Sequence, residues 1–165
     1  MTASSVAFRL AGASLLVGGA VHILACLGGP HWLAVLGAPP SIVLSADRGT
    51  WLAPTGTFAI VGLLAVLALY CFSAADMSFR LPLRRFVLAG FAALFRARGL
   101  LVVPYVLTGQ REWTTSVASF KVSGATFVPG SLAVLTIGGL ILFGLWSGSD
   151  RTPIHKQGPV GSQPT

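Results

Sequence analysis

The sequence predicts an all-α fold, an integral membrane bundle of four transmembrane helices with a short interfacial segment in the first loop. Hydrophobic residues make up 54% of the chain and charged residues only 9%, whereas soluble domains carry about 25% charged residues. Four apolar stretches also have roughly the 20-residue length that a bilayer core requires. So few charges cannot cover the surface with solvated side chains, and most of that surface must face lipid.

The four apolar stretches define the expected membrane helices. They run from about Leu10 to Leu27, Pro54 to Ala75, Leu83 to Leu107 and Phe127 to Trp146. The first has a second interpretation, as a signal peptide, because residues 23–26 loosely resemble a lipoprotein cleavage site. However, Arg9 is the only charge before it, and Leu24 fits poorly where such sites prefer a small residue. We therefore expect a retained helix.

The first connection is broken by glycine and proline and is too short to span the membrane. Its apolar run between Pro30 and Pro39 predicts a shallow interfacial helix. Trp32 and Trp51 have the amphipathic rings that are expected at headgroup level. This connection is therefore expected to lie at the membrane interface.

Composition divides the chain into two parts. Residues 1–147 form the predicted transmembrane four-helix domain, and residues 148–165 form a polar C-terminal tail rich in proline, glycine, glutamine and serine. The tail has too few apolar residues to offset the entropy of ordering. We expect it to be flexible.

Lysine and arginine are distributed unequally between the two sides of the predicted membrane domain. One side has Arg9, Arg80, Arg84, Arg85, Arg151 and Lys156, and the other has Arg48, Arg111 and Lys121. The richer side of a membrane protein is generally cytoplasmic. The sequence thus predicts a multi-pass protein of the bacterial inner membrane with both termini in the cytoplasm.

The net charge of +7 also suggests nucleic acid as a partner. The basic residues, however, lie in short segments beside the apolar stretches and form no basic domain. We expect membrane lipids as partners and no nucleic acid.

Cys26 and Cys71 do not form a CxxC motif, and no second histidine or cysteine stands at ligand spacing. The sequence therefore predicts no metal and no cofactor, and paired glycines such as Gly18-Gly19 lack the pattern of a phosphate loop. The two cysteines are expected near opposite membrane faces, too far apart for a disulfide.

His22 lies within the first apolar stretch, on a stripe of small residues formed by Ser14, Gly18 and Cys26. Such stripes let helices approach closely. Two interpretations stay open for this histidine. It bonds a neighbouring helix across a close contact, or it serves a ligand or a proton relay.

Arg96 and Arg98 stand near the middle of the third stretch, where each costs about 2.5–3.5 kcal/mol without water or a partner. The two arginines are two positions apart, and because a helix turns 100° per residue they lie on nearly opposite faces. Small side chains share the face of Arg96, which predicts that Arg96 points into the bundle. Bulky side chains share the face of Arg98, which predicts that Arg98 faces lipid or reaches towards the outer end.

A candidate ligand-binding cluster follows from the depth of these residues. His22 and Arg98 are expected at similar levels, and Asp47 and Glu112 are the only acids on the outer loops. Together with Arg96 they could form a polar site beneath the outer surface. The alternative is that both acids are solvated loop charges.

The string Gly19-Ala20-Val21-His22-Ile23-Leu24, the loop from Gly28 to Thr50 and the basic turn before the third helix resemble small uncharacterised four-helix inner-membrane proteins of bacteria. The resemblance covers most of the chain in size and pattern. It implies a fold and a compartment, and it implies no activity.

Two hypotheses of function follow. The first is a non-catalytic accessory subunit or a binder of a lipid-like ligand, within a larger membrane complex or a homo-oligomer. The alternative is a small membrane enzyme or carrier acting on an anionic amphipathic substrate, with an arginine holding the headgroup and His22 moving a proton. The sequence leaves open whether the protein is an enzyme.

Overall fold

The computed structural model describes residues 2–75, 81–108, 112–114, 119–121 and 126–149. Its elements in chain order are α1 (Ala3–Leu27), α2 (Pro30–Val35), α3 (Pro40–Asp47), α4 (Leu52–Ala74), α5 (Arg84–Leu100), α6 (Val102–Thr108), β1 (Glu112–Thr114), β2 (Ser119–Lys121) and α7 (Phe127–Ser149). The predicted tail lies outside the described residues from position 150 onwards.

Four helices are long and apolar enough to cross a membrane, namely α1, α4, the run Arg84–Pro104 and α7. Their outward surfaces are apolar as well, with Phe58 67% exposed and Phe86 79% exposed. Large apolar side chains in this arrangement face lipid rather than water. The chain is a multi-pass membrane protein, and the predicted four-helix bundle is confirmed.

Two of the four membrane helices differ from the prediction. α1 begins at Ala3, because the Thr2 hydroxyl accepts a hydrogen bond from the Ser5 amide and caps a polar first turn. The third span is interrupted at Leu101, where α5 ends and α6 begins. Pro104 has no N–H for the carbonyl four residues earlier, which accounts for the break.

The connections are more ordered than predicted. The helix expected between Pro30 and Pro39 is confirmed as α2, and α3 was not foreseen. Within the third connection, β1 and β2 form an antiparallel pair in which Glu112 is opposite Lys121. Strands of three residues are too short to show an alternating pattern in the sequence.

α1 packs against α4 on one side and α7 on the other, and α5 packs mainly against α7. Successive membrane helices run antiparallel to one another. The Ser5 hydroxyl donates to the Ala75 carbonyl at 3.1 Å, and Arg84 Nη1 donates to the Ser73 carbonyl at 2.8 Å. These bonds join α1, α4 and α5 at the end that also holds the C-terminus of α7, called here the terminal end.

The main core occupies the half of the bundle towards the terminal end. Its fully buried members include Leu15, Leu67, Leu88 and Ile141. Gly144 admits the ring of Phe8, since a Cβ at Gly144 would lie 2.8 Å from that ring.

A smaller cluster lies at the opposite end, called here the loop end, where α2 and α3 connect α1 to α4. Ala25, Leu33 and Ala53 are its buried residues. The Ser45 hydroxyl accepts a hydrogen bond from the Ala53 amide at 2.9 Å and so caps the first turn of α4. The Thr126 hydroxyl donates to the Val35 carbonyl, which ties the start of α7 to α2.

Candidate functional site

α5 brings Arg98 to the first turns of α7, at the loop end. Arg98 Nη1 lies 3.4 Å from the hydroxyl oxygen of Ser131, and the guanidinium carbon lies 5.1 Å from the ring centre of Phe127. Ser131 is buried, with 1% of its surface exposed. One long hydrogen bond and one cation–π contact therefore hold Arg98 against the bundle.

Arg96 lies on the other flank of the contact between α5 and α7. Its side chain is exposed, although its stem runs against Gly138, where a Cβ would lie 3.2 Å from Arg96 Cγ. No hydrogen bond or ion pair joins Arg96 to another residue in the part of the chain that the structure describes. Its guanidinium has no counter-charge there.

The prediction that Arg96 points into the bundle is wrong, because its side chain is exposed. Arg98 is exposed as well, as predicted, and it reaches towards the loop end. Both arginines flank the buried stripe of α5, which is formed by Leu88, Ala92 and Gly99. Small residues therefore do not all face a neighbouring helix, since Ala89 and Ala93 on the side of Arg96 are exposed.

The stem of Arg96 leans towards the terminal end, whereas the guanidinium of Arg98 lies at the loop end. Side chains on a helix lean towards its N-terminus, and Gly138 packs against the Ala92 carbonyl and Phe95 Cβ as well as Arg96. The stem of Arg96 therefore leads towards the terminal end. Arg98 instead reaches Phe127, the first residue of α7, at the loop end.

His22 lies at the level of this arginine without contacting it. Its Nδ1 is 2.8 Å from the Gly18 carbonyl of its own helix. Of the two open interpretations, the bond to a neighbouring helix is therefore not seen among the described residues. His22 follows Leu15 by seven residues and so shares the face that packs into the core. α1 and α7 run antiparallel, and Phe8 of α1 contacts Gly144 of α7. His22, fourteen residues after Phe8, therefore lies level with the first turns of α7.

The two acids of the predicted cluster do not join the arginines in the described residues. Asp47 is exposed at the end of α3, beside a shallow groove of about 440 Å³ between α2 and α3. The backbone of Glu112 pairs with Lys121, and its side chain lies outside the described part. Among the predicted residues whose side chains the structure describes, Arg98 contacts the bundle through Ser131 and Phe127.

Ser131 and Phe127 were not predicted from the sequence. A signal for Ser131 was available, since it is a hydroxyl one turn inside an otherwise apolar stretch. The sequence holds no such signal for Phe127, because an aromatic ring at a helix end is common at membrane interfaces.

The surroundings of Arg98 favour an anion. The N-terminus of α7 adds a partial positive charge at this end. Within the described residues, no group of three histidine, cysteine or acidic side chains could hold a metal ion. Arg98 and the N-terminus of α7 together give this end of the bundle positive charge.

Cys26 and Cys71 are both free, and their helices place them towards opposite ends of the bundle. No protein-family model, curated protein sequence or solved structure matches this chain.

Proposed function

We propose that this protein is a non-catalytic membrane module, an accessory subunit that binds the anionic headgroup of a lipid-like molecule at the loop end. The observation that supports the proposal is the environment of Arg98. Its guanidinium meets only a neutral serine and an aromatic ring among the described residues, inside a membrane span.

An arginine has five N–H donors, and Arg98 uses one of them on Ser131. The remaining donors match the oxygens of a phosphate or carboxylate, which accept hydrogen bonds in pairs. Phe127 fixes the guanidinium in place, and such pre-organisation reduces the entropy lost on binding.

Depth also supports a headgroup as the ligand. Arg98 precedes Pro104, the last residue of its span, by six residues, which corresponds to about 9 Å along the helix. An arginine side chain can bridge much of that distance by extending towards the interface. Leu101 and Leu94 are exposed beside it and suit acyl chains.

Native mass spectrometry of the detergent-extracted protein tests the proposal. We expect the wild type to retain phosphatidylglycerol in preference to phosphatidylcholine, and Arg98→Gln to lose that preference. Arg85→Gln removes an exposed arginine near the start of α5 and should keep it. Equal retention of the two lipids by the wild type contradicts the proposal.

A second candidate is a small enzyme or carrier for an anionic amphipathic substrate. It is favoured by the position of His22, which shares the core-facing side of α1 at the level of Ser131. In this case Arg98 would hold the headgroup and His22 would transfer a proton. Transformation or transport of an added lipid by the reconstituted protein, lost in His22→Gln while lipid retention persists, distinguishes it from the first proposal.

We also propose that the membrane is the bacterial inner membrane and that both termini are cytoplasmic. The distribution of lysine and arginine in the sequence supports this orientation. A reporter that works only in the cytoplasm, fused after Thr165, should be active. Activity of a periplasmic reporter at the same place would reverse the orientation and move the Arg98 site to the cytoplasmic leaflet.

A further inference from the structure

Arg96 differs from Arg98 in that nothing in the described part of the chain compensates its charge. It is exposed, and its span is one of the four membrane-crossing helices. An isolated arginine in a membrane span is energetically costly unless it finds water, a partner or the interface. A partner with a negative charge would remove this cost.

The direction of the side chain decides between a lipid headgroup and a protein carboxylate. Arg96 lies eight residues before Pro104, about 12 Å along the helix, and its stem leads away from the loop end along Gly138. Headgroup phosphates lie outside the hydrocarbon layer and do not reach this depth without deforming it. An aspartate or glutamate on a transmembrane helix can lie at any depth.

The neighbouring surface admits a helix. Ala93 and Ala89 are exposed one and two turns before Arg96, and on α7 a Cβ at Gly139 would meet nothing within 4 Å. Small side chains let helix backbones approach closely in membranes, and an interhelical polar contact then adds to the packing. The exposed surface beside Arg96 thus combines small side chains with a positive charge that has no counter-charge among the described residues.

A second copy of this chain does not supply the counter-charge. Its four acids are Asp47, Asp76, Glu112 and Asp150, and none of them lies within a membrane-spanning helix. We therefore propose that Arg96 is the docking point for a transmembrane helix of a different protein, one that has an aspartate or glutamate near mid-membrane. This partner goes beyond the lipid site at Arg98, and either can fail without the other.

The test uses a leucine–alanine transmembrane peptide with one central aspartate, beside its asparagine twin. Each labelled peptide is reconstituted with the labelled full-length protein in phosphatidylcholine vesicles at mildly alkaline pH, and association is measured by energy transfer. We expect the aspartate peptide to bind the wild type about fivefold more tightly than its twin. In Arg96→Gln the two peptides should bind with equal affinity. In Arg98→Gln the aspartate peptide should keep its advantage of about fivefold.

Each alternative outcome overturns the proposal in a recognisable way. A ratio near one in the wild type shows that Arg96 recruits no carboxylate. A ratio that survives in Arg96→Gln assigns the carboxylate to another residue. A further outcome is that the aspartate peptide loses its advantage when phosphatidylglycerol replaces part of the phosphatidylcholine. If it does so in Arg98→Gln as well as in the wild type, Arg96 contacts headgroups instead.

Discussion

The two ends of this bundle are built differently. At the terminal end, α1, α4, α5 and α7 meet in a core of fully buried side chains, closed by hydrogen bonds such as that from Ser5 to the Ala75 carbonyl. At the loop end the buried cluster is smaller, and polar groups of α1, α5 and α7 reach the same level. The contrast indicates that the terminal end provides most of the buried core, and the site that we propose lies at the loop end.

The largest expected effect comes from filling the closest helix contact at the terminal end. Gly144→Val places its side chain on the ring of Phe8, where a Cβ alone would lie 2.8 Å away, and we expect a loss of about 3 kcal/mol. Gly130→Val is the matched control on the same helix, since a Cβ there meets nothing within 4 Å. Thermal unfolding in detergent should separate the two variants, and similar losses would contradict the contrast between the ends.

Removing volume from the same core should have the next largest effect. Leu88→Ala empties a fully buried position, and we expect it to cost about 2 kcal/mol, because a cavity loses dispersion contacts even where the unfolded reference is in lipid. Leu132→Ala, at a 53% exposed position near the start of α7, serves as control and should change little. A larger loss at Leu132, measured by unfolding in detergent, would show that the loop end is also tightly packed.

A smaller effect is expected from the polar closure of the terminal end. Arg84→Gln removes a charged donor from the Ser73 carbonyl, and we expect a loss of about 1.5 kcal/mol. Arg85 is exposed, so Arg85→Gln should have almost no effect. Equal melting temperatures for the two variants would mean that the link between α4 and α5 contributes nothing.

Most of the fold could be predicted from the sequence, because membrane thickness sets the length of an apolar stretch that spans it. The second and fourth helices were predicted to within three residues at each end. The break at Leu101 was not, since a single Pro104 in an apolar run is compatible with both a kinked and a continuous helix. The pairing of β1 with β2 depends on hydrogen bonds that leave no periodic signal in strands of three residues.

The candidate site was predicted less well. The rule that small residues face other helices assigned Arg96 to the wrong side, whereas Arg98 is exposed as predicted. Ala92 and Gly99 do face α7, while Ala89 and Ala93 remain exposed. The buried side of α5 became clear only from the packed structure. The partner Ser131 depends on how α5 and α7 are aligned, which a single sequence does not specify.

The most direct test of the account compares Arg98→Leu with Arg96→Leu by thermal unfolding of the isolated protein in detergent, beside the wild type. Arg98→Leu loses the contact with Phe127 and the hydrogen bond to buried Ser131, and we expect it to cost about 1 kcal/mol. Arg96→Leu removes an exposed charge without a partner among the described residues, and we expect its melting temperature to equal or exceed that of the wild type. If Arg96→Leu were the less stable variant, Arg96 would be the arginine that faces the bundle, and the site at the loop end would have to be rebuilt around it.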